Sequence, residues 1–250
     1  MRIRNILNET LEDRNSRLLG ITSLGIIIIY IISFFTSCHG IILQFLVTVS
    51  STIFAYCAVI PFNFFTGRVR KIYLAFLIAI LFIFFIEVNY CFIELFKIPI
   101  ICYIVLLLPA ILIASVSAYI ATYYIFDFWI APIVSSSKQY FVTGIIGIII
   151  ISPLMFVLGV VYKISFYNVL IASLGFPLFL ILLYEYKYFK GGLWSKSWFL
   201  IILTSLLIVL GGLLLNFSLI LNCYVLKELS RILYMLGYLI GSYGFIIHKF

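Results

Sequence analysis

The sequence predicts an all-α integral membrane protein, a bundle of about eight transmembrane helices. Three observations lead to this fold class. First, 66% of the 250 residues are apolar and 10% are charged, whereas a soluble domain is about half apolar and one quarter charged. Second, the apolar residues form continuous runs that are long enough to cross the roughly 30 Å hydrocarbon core of a bilayer. Third, these runs lack the two-residue alternation of membrane β-strands, so the spans are predicted to be helices.

The stretch from Ile98 to Phe126 contains no formal charge, and the other apolar runs lie on either side of it. Small residues recur in it at every fourth position and predict a ridge along one helical face: Ala110, Ala114, Ala118 and Thr122. Such ridges let neighbouring membrane helices approach closely. We therefore expect this helix to lie inside the bundle.

Polar and charged residues divide the rest of the chain into the other spans. The uncharged run 18–67 is too long for one span, and the polar cluster 36–40 divides it. The predicted spans lie near 18–36, 41–61, 72–93, 98–126, 140–162, 164–184, 198–221 and 232–247. For the last two, a re-entrant hairpin is the alternative to two full crossings. Residues 18–250 thus form one transmembrane domain, and residues 1–17 are predicted to be either an amphipathic surface helix or a frayed cytoplasmic tail.

The distribution of basic residues predicts the orientation of the bundle. With a cytoplasmic N-terminus, the inner segments hold 12 Lys and Arg residues and the outer segments hold 4, in agreement with the positive-inside rule. Both termini are then cytoplasmic, and the expected location is the cell membrane. The net charge of +8 is attributed to topology and to anionic lipid headgroups. Nucleic acid is not expected as a partner, because the basic residues lie in short loops rather than along one face.

The sequence contains none of the local signatures of nucleotide-driven or hydrolytic chemistry that were sought. It lacks the motifs G-x-x-x-x-G-K-[ST], H-E-x-x-H and G-x-S-x-G. Its two histidines, His39 and His248, are predicted on opposite sides of the membrane, which argues against a haem held by two histidines between helices. We predict no cofactor and no enzyme activity.

Acidic residues inside the predicted spans are the main candidates for function, because a carboxylate in the hydrocarbon region is costly. Glu87, Cys91 and Glu94 recur at i, i+4 and i+7, which places them on one face of the third span, in its outer part. We predict an ion or substrate site from Glu87, Asn89 and Glu94. The alternative is that Glu87 reaches the headgroup region or pairs with Lys97.

A metal site at the same outer surface is a weaker hypothesis. Its candidate ligands are His39 and Cys91, but no two cysteines have C-x-x-C spacing, and we predict no metal. If the outer side is oxidising, a disulfide can form between two of the cysteines predicted there, which are Cys38, Cys91, Cys102 and Cys223. The sequence does not choose a pairing.

Two further features each allow two interpretations. Asp127, at the inner end of the fourth span, is an ion-site or partner-contact candidate, or an ordinary interfacial residue. Gly237 and Gly241 form a G-x-x-x-G motif in the last span, which marks a helix contact or a dimer face.

These features favour a transporter or permease subunit that works with a separate energising partner. A non-catalytic structural or accessory subunit of a larger membrane complex is the alternative. A membrane-embedded enzyme is disfavoured, because the spans are nearly free of acidic, His and Arg residues. The expected partners are the lipid bilayer and either a partner subunit or further copies of the chain.

Overall fold

The computed structural model describes residues 2–97, 104–130, 166–192 and 195–247. In these ranges the chain forms seven α-helices and no strand, which confirms the predicted all-helical class for this part of the chain. The helices are α1 Arg2–Ser33, α2 His39–Phe64, α3 Gly67–Phe96, α4 Ile104–Ile125, α5 Phe166–Phe189, α6 Ser195–Ile220 and α7 Tyr224–Ile246. A π-helical turn, Phe126–Ile130, continues α4. The predicted span 140–162 lies outside the described residues.

Of the helices that the structure describes, five are long and apolar enough to cross a membrane: α1 through Arg14–Ser33, α2, α3, α6 and α7. Large apolar side chains are exposed on the outside of these helices, and lipid is the solvent that covers such a surface. The chain is therefore a multi-pass membrane protein. Helix α6 has 26 residues and α7 has 23, or about 39 Å and 35 Å at 1.5 Å per residue. These lengths favour two full crossings over a re-entrant hairpin.

The N-terminal segment and the first predicted span form one helix, since α1 runs without a break from Arg2 to Ser33. Helix α7 begins at Tyr224, eight residues before the predicted start of its span. The sequence suggests a connection here because residues 227–231 are mostly polar. They are helical in the structure because their side chains find partners on neighbouring helices, as in the 2.7 Å hydrogen bond that the Ser230 hydroxyl donates to the carbonyl of Gly211.

The small-residue ridge of α4 is buried, which confirms that this face of the helix packs inside the bundle. The helix packs mainly against α3. The opposite face carries exposed apolar side chains, among them Leu112, Val116 and Ile120. Helix α4 therefore has one face towards the bundle and one face that is suited to lipid.

Among the described helices, α6 and α7 pack together over the largest number of residues, and glycines allow their close approach. A Cβ atom at Gly241 would lie 2.5 Å from Cε2 of Phe54 and 2.9 Å from Oγ1 of Thr204. A Cβ atom at Gly237 would be 3.4 Å from Cβ of Leu207 on α6. The G-x-x-x-G motif is thus a contact between helices of the bundle rather than a dimer face.

Helix α2 packs against both α3 and α7. Helices α3 and α7 contact each other through long side chains, such as Glu94 with Arg231 and Glu87 with Tyr238. We use "outer end" for the end of the bundle that holds the turns 34–38 and 221–223, and "inner end" for the end that holds the turns 65–66 and 190–192. These names follow the predicted orientation.

Candidate functional site

Three helices bring polar side chains to one region in the outer half of the bundle. Helix α3 contributes Glu87 and Glu94, and helix α2 contributes Gln44 and the carbonyl of Gly40. The contribution of α7 consists of Lys227, Glu228, Arg231 and Tyr238. The predicted shared face of Glu87 and Glu94 is thus the face that points to these polar groups.

Glu87 is the deepest member of the site and is buried. The hydroxyl of Tyr238 donates a hydrogen bond of 2.7 Å to its Oε1 atom, and Nε2 of Gln44 donates one of 3.1 Å to its Oε2 atom. The hydroxyl of Thr48 donates to the backbone carbonyl of Glu87 at 3.2 Å. One carboxylate therefore joins α2, α3 and α7, and both of its hydrogen-bond donors are neutral.

Glu94 forms the outer part of the site as a cluster of charges. Its Oε1 atom accepts hydrogen bonds from Nζ of Lys227 at 2.6 Å and from Nη2 of Arg231. Arg231 also donates through Nη1 to the carbonyl of Gly40 at 3.1 Å. The Arg231 side chain is 7% exposed and that of Lys227 is 36% exposed. The two cations therefore contribute differently: Arg231 is a buried charge, whereas Lys227 reaches the surface.

His39 fastens the end of α1 to the rest of the site. The hydroxyl of Ser33 donates to the carbonyl of Tyr30 at 2.6 Å, so its oxygen is left to accept from Nδ1 of His39, 2.6 Å away. Nε2 of His39 lies 3.1 Å from Oε1 of Glu228. The aromatic ring of Phe34 stacks on His39 with 4.3 Å between ring centroids.

The sequence hypothesis of a metal site at His39 and Cys91 has no geometric support. In the described part of the chain, no three His, Cys, Asp or Glu side chains come together in a way that would hold a metal ion. His39 is engaged by Ser33 and Glu228, and Cys91 is half-buried on α3. Cys38 and Cys223 are also free thiols, and Cys102 lies outside the described residues.

Two other predicted site residues do not join Glu87. Asn89 is buried, but its Nδ2 atom donates to the carbonyl of Phe85 in its own helix at 2.7 Å. Asp127 is exposed in the π-helical turn that follows α4. The alternative pairing of Glu87 with Lys97 is not observed, because Tyr238 and Gln44 occupy its oxygens.

The site places its charges at two depths. Glu94 lies two residues before the end of α3, whereas Glu87 lies seven residues deeper, or about 10 Å along the helix axis. From the inner end, Lys71 precedes Glu87 by about 24 Å. Glu87 therefore lies in the outer third of a span, as the sequence predicts, with the ion cluster between it and the outer surface.

The residues that the sequence prediction missed follow a pattern that complements α3. Arg231 and Tyr238 are seven residues apart, and so are their respective partners Glu94 and Glu87. Because α3 and α7 run in opposite directions here, equal spacing brings both pairs together. Lys227 precedes Arg231 by one helical turn, and this spacing was the signal available in the sequence. It points to a polar helical face only once residues 224–231 are known to be helical.

A carboxyl group at Glu87 can exchange a proton or attract a small cation with its negative charge, whereas the surrounding amide and hydroxyl groups carry no charge and keep their protons at neutral pH. The site is thus a single exchangeable acid inside the membrane, flanked on its outer side by a fixed ion cluster. No protein-family model, curated protein or solved structure matches this chain.

Proposed function

We propose that this chain is a membrane transport protein, a permease subunit, in which Glu87 binds and releases a proton or a small cation during the transport cycle. The observation that carries the proposal is the buried Glu87 carboxyl held by two neutral donors, Gln44 and Tyr238. A charged side chain costs about 2.5–3.5 kcal/mol at the centre of a membrane helix on insertion scales, and an ionised Glu87 in the outer third bears part of this cost. A glutamine at this position would make similar contacts without that cost, so the carboxyl contributes its capacity to change charge.

The ion cluster supports a link between this charge and the arrangement of the helices. Arg231 attracts the negative charge of Glu87 and is bonded to both Glu94 and the carbonyl of Gly40. A proton on Glu87 removes this attraction, and it also weakens the hydrogen bond from Tyr238. Occupation of Glu87 therefore changes the strength of the interactions that join α7 to α3, and a coupling site in a transport cycle needs such a difference between its two states.

A separate energising subunit is part of the proposal, in keeping with the sequence prediction. The alternative is an accessory subunit in which the same network only holds three helices together. The two alternatives differ in one respect that can be measured. A transport subunit needs the acid at Glu87, whereas an accessory subunit functions equally well with an amide there.

We expect Glu87→Gln to abolish proton or cation flux while leaving the protein folded. The amide keeps an acceptor for Tyr238, and the amide of Gln44 can turn to present its oxygen, so the contacts survive and only the exchangeable charge is lost. The protein and any accompanying subunits are purified from native membranes in mild detergent and placed in liposomes with a trapped pH-sensitive dye. Proton flux is then measured under a potassium diffusion potential, and a trapped sodium or potassium indicator gives the cation arm.

Glu94→Gln is the matched control, because it also replaces an outer-half glutamate by its amide. Per folded molecule, we expect Glu94→Gln to retain more flux than Glu87→Gln, because Glu94 lies nearer the surface. Equal flux from the wild type and Glu87→Gln would contradict the proposal. Recovery of the chain in a stoichiometric assembly or redox complex without any flux would favour the accessory subunit.

A further inference from the structure

A second buried carboxyl lies at the other end of the bundle, in Glu185 of α5. This residue is 1% exposed, and neither carboxyl oxygen has a hydrogen-bond partner among the described residues. Burial dominates the electrostatic environment of this carboxyl group, and no charged side chain among the described residues stabilises its ionised form. The predicted span ends at 184, so the sequence places Glu185 in a loop. In the structure α5 continues to Phe189, so Glu185 is part of the helix, and its side chain is buried.

The packing around the end of α5 places Glu185 at the inner end. One turn after Glu185, the ring of Phe189 stacks on Trp198 with 5.0 Å between ring centroids. The neighbouring Ser197 donates to the carbonyl of Gly244, near the last turn of α7, at 2.7 Å. Because the first turns of α7 hold the outer ion cluster, Glu185 lies at the end of the bundle opposite to Glu94. The exposed Lys190 follows Glu185 by five residues, or about 7 Å along the direction of the helix axis.

The surroundings of Glu185 select the ligand that it can take. An ionised carboxylate without a partner in an apolar environment is far more costly than a neutral carboxylic acid. A metal ion would need several ligands, and in the described part of the chain no three His, Cys, Asp or Glu side chains come together in a way that would hold one. A larger substrate or a protein partner cannot reach a side chain that is 1% exposed. The proton is the ligand that remains.

Hydroxyl groups lie on the same two turns of α5. The hydroxyls of Tyr184 and Tyr188 are 3.0 Å apart, and both side chains are half-buried. The hydroxyl of Tyr186 lies 3.4 Å from that of Ser195, at the start of α6. Hydroxyl groups with exchangeable protons are thus present on the same turns of α5 as Glu185.

We propose that Glu185 is a proton-binding site at the inner end of the bundle, which holds a proton in the buried state and exchanges it with the inner medium. Its role as the inner counterpart of Glu87 rests on the proposed transport function. The binding of a proton to Glu185 stands on the geometry of α5 and is measured without any transport.

The test is infrared difference spectroscopy of the full chain in nanodiscs, titrated between about pH 5 and pH 10. We expect the carbonyl band of a protonated carboxylic acid that is present at neutral pH and decreases at high pH. The component of the band that belongs to Glu185 should shift in D₂O and be missing from the Glu185→Gln variant, while any component from Glu87 remains. Glu87→Gln is the matched control and should retain the Glu185 component.

Two outcomes would overturn the proposal. If the wild type and Glu185→Gln have identical carboxylic-acid bands at every pH, Glu185 is ionised throughout. If the band is present but neither shifts in D₂O nor responds to pH, Glu185 is a sealed structural group. Loss of flux in Glu87→Gln is a separate measurement, so a failure at either glutamate is assigned to that glutamate alone.

We also expect Glu185→Leu to raise the midpoint of thermal unfolding, Tm. Leucine has a similar size and removes an unpaired polar group from an apolar environment. Glu185→Gln, which keeps a polar group there, should show no such increase. A clear drop in Tm for Glu185→Leu would show that the carboxyl has a stabilising charged partner and would contradict its role as an isolated proton site.

Discussion

Replacing Glu94 by glutamine is expected to destabilise the folded protein by about 3 kcal/mol. The change leaves the guanidinium of Arg231, whose side chain is 7% exposed, without its carboxylate partner. The amide oxygen of glutamine can still accept a hydrogen bond from Arg231, as the carbonyl of Gly40 does, but the guanidinium loses the negative charge that balances it. The Glu94 side chain is 27% exposed, but its removal is costly because the charge of Arg231 stays buried. The measurement is thermal or denaturant unfolding of the purified protein in a fixed detergent.

Lys227→Gln is the matched control for this prediction. Lys227 contacts the same carboxylate oxygen, but its side chain is 36% exposed and water can solvate its charge. We expect a loss of at most about 1 kcal/mol. The double variant Glu94→Gln/Arg231→Met should lose less free energy of unfolding than the two single variants lose together. The reason is that it leaves no unpaired guanidinium. Equal destabilisation by Glu94→Gln and Lys227→Gln would contradict the buried-pair interpretation.

Replacing Gly241 by valine is expected to destabilise the bundle by about 3 kcal/mol, the upper end of the usual cost of overpacking. Its Cβ atom alone would lie 2.5 Å from the ring of Phe54 and 2.9 Å from the hydroxyl of Thr204. Phe54 is itself buried and stacks on Tyr238 with 5.9 Å between ring centroids. The ring therefore has no free space to move into, and its displacement would also disturb the hydrogen bond from Tyr238 to Glu87. The yield of monodisperse protein and the Tm report this loss.

Gly20→Val tests whether the effect comes from packing rather than from valine in a membrane helix. A Cβ atom at Gly20 of α1 meets no atom within 4 Å, so valine there is accommodated without a clash. We expect the Gly20 variant to have a Tm close to that of the wild type, which corresponds to a change in the free energy of unfolding of less than about 1 kcal/mol. If both variants behave alike, the close contact of α7 with α2 and α6 does not determine the stability of the bundle.

The sequence predicted the helical class, most of the apolar spans and the depth of Glu87. These features depend on local properties: hydropathy along the chain determines what is buried in lipid, and the 3.6-residue period determines which residues share a face. The shared face of Glu87 and Glu94 is such a property. The ridge on α4 is another, because small residues at every fourth position line one side of any helix.

The partners of these residues were decided by tertiary structure. Glu87 binds Tyr238, 151 residues away in the chain, and Glu94 binds Arg231, 137 residues away. Such pairs form because α2 packs against both α3 and α7, and no local pattern states which helices will be neighbours. Asn89 shows the converse. It lies two residues from Glu87, but its side chain donates a hydrogen bond to a backbone carbonyl of its own helix.

Burial of the remaining polar groups also depends on the fold. Glu185 precedes a basic and aromatic segment that is typical of a membrane interface, and the packing of α5 against α6 encloses it. Residues 227–231 suggest a connection by their polarity, and their ion pairs with α3 make them helical. The sequence alone therefore determined that this is a membrane helix bundle with an acid in its outer third. The tertiary structure alone decided which acids are paired, because a charge is stabilised by the neighbours that folding brings to it.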